Sequence, residues 1–513
     1  VAHQVHIDVD KLDGLLAPFD STSAPGFAVG VGLKGRPVYR RGVGLASIET
    51  STALSPSIRM RIGSTSKHFC VLALMLLKED GLLSLDDSPR LVLPELPAWA
   101  DDMTIRQLMA HTSGMRDSLD ILMLSAPPSA PIAADEQFKM LCQTKSVNFL
   151  PGNGWSYNNG GYVLLSMIIE RLSGAPLGEF LRERIFLPVG MVDTMLRPLD
   201  TDLVPNSATL HVPDLSGGWR RGVMGAPVGG EGGIVSTVDD MLRWLAHMST
   251  PRVGSAESWA EMRTPAASHG YGLGLMMGTY RGLSTVHHAG GVIGGSCQML
   301  KVVDCDLDVI VISNGRNALD LYNLVDAIID SCVADLPVIQ QDTVGAVATG
   351  TYYSKNSGRV LKISENNGNP FMMINGMTLP AKRDRSGAYS VSIMPTDIRV
   401  MPDGPDFETL NAIEFERTDR LERVHPPASH SEKKELFGEY KSEISELFAF
   451  INGNVMRVSG VNGSQDYTLE QIGSDIWMAT TQSFFPMLVT LEVSESGILM
   501  SSGRTARLHF KRQ

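Results

Sequence analysis

Residues 63–81 read Gly63-Ser64-Thr65-Ser66-Lys67-His68-Phe69-Cys70-Val71-Leu72-Ala73-Leu74-Met75-Leu76-Leu77-Lys78-Glu79-Asp80-Gly81. From residue 67 to 80 the run is apolar around most of a helical circumference, and Gly81 is a good C-terminal stop. A buried central helix is predicted. With Ser64 in the first turn, Lys67 lies one turn on along the same face, its amine within reach of the serine hydroxyl. A serine hydroxyl is too weakly acidic to attack an amide unaided, and a lysine becomes a useful base only where desolvation or another cation lowers its pKa. The apolar helix supplies that desolvation. Ser66 falls on roughly the opposite side of the helix and is a poor nucleophile. By itself, Ser-x-x-Lys is more commonly a helix-capping serine followed by a surface lysine.

Upstream, residues 28–34 and 37–43 read as two strands joined through Gly35-Arg36, where glycine supplies the dihedrals of a tight hairpin. Downstream, helical text runs over 160–173, ending at Gly174, and over 237–247; strands follow at 298–303 and 307–312. Helices and an antiparallel sheet therefore share the first domain. The chain has 513 residues, enough for about three domains. Hydrophobic residues make up 43% and charged ones 19%, which excludes a wholly disordered chain. The 44 Lys and Arg against 56 Asp and Glu leave a formal charge of −12 that repels phosphate, so no nucleic-acid partner is expected. The longest apolar run, residues 69–77, is about half of what a bilayer-spanning helix needs, so no membrane partner is expected either.

Five widely spaced cysteines (Cys70, Cys142, Cys297, Cys305, Cys332) are too few for a disulfide scaffold or a thiolate metal cluster and suit a reduced compartment. The chain opens at Val1 with neither Met nor a basic-then-apolar leader. Cytoplasmic placement is expected, or periplasmic if a leader was removed. There is no His-Glu-x-x-His, Walker loop or Gly-x-Ser-x-Gly elbow, so metalloprotease, P-loop NTPase and standard α/β-hydrolase readings lose their support. No metal and no cofactor are expected.

After residue 335 the text turns β-rich: 359–364, 389–394, 476–480 and 508–511 are short strands between Asn, Gly, Ser and Asp turns. Gly350-Thr351-Tyr352-Tyr353-Ser354 returns as Gly438-Glu439-Tyr440-Lys441-Ser442, a register of 440 − 352 = 88 residues. Two similar barrels are expected, joined through 424–431, whose Pro426-Pro427 pair disfavours ladder pairing. One continuous sandwich over 340–513 is the alternative.

Two more motifs carry chemistry. In Trp155-Ser156-Tyr157-Asn158-Asn159-Gly160-Gly161, a turn-rich loop ending at a helix sets Tyr157 and Asn159 where both can face one cavity; a Gly/Asn-rich turn with an anchoring tyrosine is the bland reading. In His287-His288-Ala289-Gly290-Gly291, glycines beside a strand allow close backbone approach and a flanking histidine can assist proton transfer; a solvent-facing β-turn is the alternative.

In this order and at these separations, the three motifs resemble the active-site elements of the serine penicillin-recognising family, the class C-like group of β-lactamases, DD-peptidases and esterases. Residues 104–115, 185–191, 232–237 and 271–274 also resemble that group, and the likeness covers most of residues 20–320. His111 is read as structural. The resemblance implies a mixed sheet flanked by helices plus an all-helical part, Ser64 as acyl-accepting nucleophile, and Lys67 with Tyr157 as the proton-transfer pair. It also implies an oxyanion hole from the amides of Ser64 and a residue after Gly290. The resulting architecture is α/β plus all-β: a β-lactamase-like catalytic domain over 1–335, then antiparallel, lipocalin-like β-barrels over 336–425 and 426–513.

Family members that bind a carboxylate commonly carry lysine where His288 stands, and a neutral imidazole offers no fixed positive charge. Carboxypeptidase and β-lactamase roles weaken accordingly. The expectation is a serine aminopeptidase or amidase that releases an N-terminal residue, D-configured among the options, from a short peptide or amino-acid amide. An esterase or peptidase for an unusual peptide, and a non-turnover sensor of β-lactam-like ligands, remain alternatives. A substrate ammonium needs a partly desolvated carboxylate, for which Glu231 and Asp117 are the candidates. The resemblance further implies a loop of the last domain reaching the cleft, here over 474–486, with Phe484 and Phe485 either gating it or filling a barrel end. A homodimer is the assembly considered.

Overall fold

A computed structural model describes the chain apart from residues 1–2, 215, 266–269, 316–319, 339–345, 385, 394–395, 416, 428–435, 445 and 484–485. It falls into two compact units, residues 1–87 with 162–339, and residues 88–161 with 340–513. The first unit is built on a six-stranded antiparallel sheet in the order Met276–Tyr280, Leu283–Val292, Gly295–Val302, Leu307–Ser313, Phe27–Leu33, Arg36–Val43. The expected hairpin and both late strands lie in it.

Phe27-Ala-Val-Gly-Val-Gly-Leu33 is apolar throughout because both faces of the sheet are covered. Phe27, Val29, Val31, Val309 and Val311 point to one face, where helices Val9–Leu16 and Leu321–Cys332 complete the core. Gly30 points to the other, where a Cβ would come within 2.6 Å of Val238 in helix Val238–Ser249. Alternation along the strands thus fixes which helix each face receives.

The stretch predicted as the central helix is a 3₁₀ turn, Gly63–Ser66, running into helix Lys67–Glu79, whose residues from Lys67 to Leu77 are all buried. It ends as Gly81 requires: Gly81, at φ +75°, donates to the Lys78 carbonyl and Leu82 to that of Leu77. None of the five cysteines is disulfide-bonded. Among the described residues no helix is long and apolar enough to cross a membrane.

The second unit holds short helices Ile105–Met109, Ser118–Leu122 and Glu136–Gln143, and both barrels. Eight strands from Gly438–Ser442 to Leu508–Arg512 form a closed meander, first pairing with last through Tyr440↔Arg512. The preceding nine strands curl the same way: Gly350–Tyr353 pairs with Arg417–Val424 through Tyr352↔Arg423, and the sheet stays open at the seam between Met377–Pro380 and Lys382–Arg383. Both repeats use the tyrosine alike. Tyr352 and Tyr440 are buried, and each hydroxyl donates to a carbonyl four residues back, Ala348 at 3.1 Å and Leu436 at 2.9 Å. The expected pair of antiparallel barrels is therefore present, one of them incompletely closed, and the single-sandwich alternative is set aside.

Beneath the sheet, Trp244 lies between two histidines, with ring centroids 5.4 Å from His68 and 5.1 Å from His247. His247 Nε2 accepts hydrogen bonds from the backbone of Arg252 and Val253, so its ring is neutral. Burial pushes the His68 pKa down from 6.5 to about 3 and that of His247 to about 4. As pH falls, the unfolded chain protonates these rings first, so the stability they permit is complete above about 6.5 and is lost toward the folded values. Between about pH 8 and about pH 5, His68 alone should withdraw on the order of 2 kcal/mol. His68→Leu should keep the melting temperature at the upper pH and raise it relative to wild type at the lower, as read by calorimetry.

Candidate active site

Lys67 opens the central helix with its side chain fully out of water, 0% exposed. Its Nζ donates to Ser64 Oγ at 3.2 Å and to the Glu231 carbonyl at 2.6 Å, and stands 5.1 Å from the Tyr162 ring centroid. The amine therefore reaches back along one turn of the chain to a half-buried serine. Ser66 takes a structural part: its hydroxyl accepts from the Ile234 amide, tying the turn to strand Ile234–Ser236. The glycine loop before that strand packs onto the helix. Gly230 donates to Ser166 Oγ at 2.9 Å, and a Cβ there would meet Cys70 Sγ at 2.5 Å. That closeness presents the Glu231 carbonyl to the amine.

Strand Leu283–Val292 supplies the facing wall. Its neighbour Met276–Tyr280 pairs with it only as far as Met276↔His287, leaving 288–292 free on that side to receive the 3₁₀ turn. Thr65 Oγ1 donates to the His288 carbonyl at 3.1 Å. Gly290 is there for backbone approach: a Cβ would lie 1.9 Å from the Ile62 carbonyl oxygen and 2.9 Å from the Ser64 nitrogen. Gly63, at φ +53°, meets Gly291 as closely, with 2.9 Å from its would-be Cβ to the Gly291 nitrogen. The partner that Gly290 admits is the backbone of Ile62 and Ser64.

His288 is wholly buried. Nδ1 donates to the Ala289 carbonyl at 2.6 Å, so Nε2, 3.2 Å from the Tyr271 hydroxyl, is the acceptor of that bond. Burial, then the charge of Lys67, holds its pKa well below 6.5. The ring is therefore a neutral, oriented imidazole. Tyr271, which orients it, had no sequence signal beyond its place in residues 271–274.

Tyr157, Asn159 and Asp117 belong to the second unit. The Asn158 amide donates to His111 Nδ1 at 3.1 Å, and the His111 and Tyr157 rings meet at a 37° tilt with centroids 4.3 Å apart. His111 is thus the anchor of the tyrosine loop, held at φ +61° between Leu108 and Thr112. The buried Asp117 carboxylate caps helix Ser118–Leu122 and accepts from the amides of Leu119, Asn159 and Gly160, besides pairing with Arg504 at 3.4 Å. A carboxylate so engaged can take a substrate ammonium only by giving up one of these partners. Tyr157 lines a cavity of about 220 Å³ to which Asn159 does not contribute.

The Glu231 side chain is buried, with Oε2 3.3 Å from the position a Gly229 Cβ would take. Burial, followed by the Glu231 charge, raises the pKa of neighbouring Cys70 to about 12. Phe484 and Phe485 lie outside the described residues. Among those described, no cluster of three or more His, Cys, Asp or Glu could hold a metal ion.

Comparison with known proteins places this geometry in a family. The family model described as Beta-lactamase matches residues 12–325. A D-aminopeptidase of Brucella melitensis biotype 2 is 28% identical over 502 residues, covering 93% of this chain and 92% of that protein. The octameric penicillin-binding protein homologue from Pyrococcus abyssi, 22% identical, superposes over 81% of this chain and 100% of its own with a TM-score of 0.58. The D-amino acid amidase from Ochrobactrum anthropi SV3, solved with L-phenylalanine, is 25% identical over 63% of this chain and 98% of its own, with a TM-score of 0.54. With the Ser-x-x-Lys turn, the histidine–glycine strand and the six-stranded sheet all in place, the chain belongs to the beta-lactamase family.

Proposed function

We propose that this protein is a serine aminopeptidase or amidase that removes an N-terminal residue, with preference for the D-configuration, from short peptides and aminoacyl amides through a covalent acyl-enzyme. The observation that carries the reading is the pairing of a water-free lysine amine with a serine hydroxyl at 3.2 Å. The curated relative named D-aminopeptidase, which matches across 93% of the chain, supports the substrate class and its handedness.

Ser64 Oγ attacks the amide carbonyl as its proton passes to Lys67 Nζ, and the developing oxyanion is held by the Ser64 amide and an amide beyond Gly290. The carbon–nitrogen bond breaks, and the leaving amine takes up a proton. Water, deprotonated in turn, attacks the ester, frees the amino acid and restores the hydroxyl. Tyr157, as second proton carrier, and Asn159, as orienter of the amide, enter this reading through their place in the motif order. His288, neutral and tied to Tyr271, offers no charge for a carboxylate, in keeping with a substrate recognised at its amino end. Of the two acids, Glu231 is the preferred ammonium partner, because Asp117 is occupied by three amides and Arg504. On this reading residues 1–335 form the catalytic domain, and 336–425 and 426–513 the two barrel domains.

A matched panel of D- and L-aminoacyl p-nitroanilides, amides, esters and N-acetyl analogues tests the proposal. Turnover should favour free-amine D-amides and vanish in Ser64→Ala. Preference for esters irrespective of the amino group would replace the peptidase reading with an esterase. A stable acyl-Ser64 seen by intact mass, without turnover, would make the protein a sensor.

Glu231→Gln should lower kcat/KM on free-amine substrates at least about tenfold more than on their N-acetyl analogues; equal loss on both removes that assignment. Gly290→Ala should suppress acylation of Ser64 about a hundredfold or more by pushing the nucleophile's turn off the strand, as followed by the p-nitroaniline burst.

A further inference from the structure

The loop Ser502-Gly503-Arg504-Thr505-Ala506-Arg507 joins the last two strands of the closed barrel, Gly497–Ser501 and Leu508–Arg512. Nothing in its sequence marks it as functional, yet Ser502, Arg504 and Ala506 are bound to residues 116–148, in the region that carries Tyr157. The Asn148 side-chain amide donates to the Arg504 carbonyl at 2.8 Å and accepts from the Ala506 amide at 2.9 Å. The Arg116 guanidinium donates to the Ala506 carbonyl. Buried Asp120 accepts from the Ser502 hydroxyl and, at 3.3 Å, from the Arg504 amide.

This framework aims one side chain. The Arg504 guanidinium carbon stands 4.7 Å from the centroid of the Tyr157 ring. Nη1 is 3.4 Å from Asp117, the carboxylate that also holds the Asn159 and Gly160 amides two and three residues after the tyrosine. One carboxylate thus fixes both the cation and the backbone on which the phenol is carried.

We propose that Arg504 is a positioning residue for Tyr157: it holds the ring from the barrel side and lends its positive charge to the phenolate form. The inference rests on the reading of Tyr157 as a proton carrier. A guanidinium over an aromatic face is attracted by the ring, and a nearby cation favours the ionised phenol over the neutral one. The phenol in turn moves protons more readily near neutral pH. Other groups bear on the same ring. The His111 ring packs against it at a tilt, and Asp120, Arg359, Glu414 and Arg417 line the cavity it shares with Arg504. Arg359 is paired with Glu414 and Asp419, and Arg417 with Asp419, while Arg504 lies over the ring. The last barrel would then be part of the proton-transfer apparatus.

Ultraviolet titration of the full-length protein, taken as the difference between each enzyme and its Tyr157→Phe counterpart, isolates this one phenol among the tyrosines. In Arg504→Gln its ionisation should move to higher pH by about one pH unit. Turnover of D-alanine p-nitroanilide should fall about tenfold in kcat with KM within about twofold. Arg504→Lys should restore most of both, and guanidinium ion added to Arg504→Ala should recover part of kcat. Should Arg504→Gln fail to fold, Arg504→Met, which keeps the stem against the ring, takes its place with the same expectations. An unmoved Tyr157 titration, or equal losses in the Lys and Gln variants, overturns the proposal and leaves Arg504 a structural tie. Absence of turnover in the wild type would count against the amidase reading, while the spectroscopic comparison still decides the role of Arg504.

Discussion

An amine excluded from water and held between a serine hydroxyl and a main-chain carbonyl is the constraint around which the catalytic region is arranged. A buried amine is costly to leave without partners, and Lys67 Nζ finds them in Ser64 Oγ and the Glu231 carbonyl. Each partner needs its own scaffold. The hydroxyl comes from a 3₁₀ turn continuous with the helix; the carbonyl comes from a glycine loop that can lie on Cys70 and Ser166 because it carries no side chains there. The strand opposite can close on the turn because Gly63 and Gly290 leave the two backbones in direct contact. The glycines and the buried lysine therefore belong to one solution: dry packing around a polar pair demands close main-chain approach on every side.

The barrels follow a different economy. Each is a meander whose first strand carries a buried tyrosine and pairs with a last strand carrying an arginine, Arg423 or Arg512, at the matching position. The tyrosine hydroxyl returns to the chain four residues upstream in both, which pins the entrance of each meander to its first strand. What distinguishes the copies is the closing loop. In the final barrel, residues 502–507 are engaged by Asn148, Arg116 and Asp120, so a segment late in the chain shares its hydrogen bonds with the region around residues 110–160.

Much of this was legible beforehand where the information is local. The central helix, its Gly81 stop, the opening hairpin, the late strands and the 88-residue echo each rest on periodicity or on a turn residue, and all are found close to the expected bounds. Other features left no such trace. His111, read as merely structural, anchors the tyrosine loop through its ring nitrogen; Asp117, considered for substrate, spends its carboxylate on a helix cap and an ion pair; Tyr271 orients His288. Gly290, expected to admit a substrate backbone, chiefly admits that of Ile62 and Ser64. For His111, Asp117 and Gly290 the residue was noticed and its partner was not, because that partner is remote in the chain.

The amino-acid sequence by itself determined the serine–amine pair, since a separation of three residues at a helix start places two side chains on one face whatever surrounds them. It likewise determined the repeat that builds two barrels. The tertiary structure alone decided that the histidine is tied to Tyr271 and that an arginine 387 residues along the chain meets Asp117. Burial and ion pairing are set by what the folded chain brings together from far apart, and such encounters carry no period or spacing that a linear text could display.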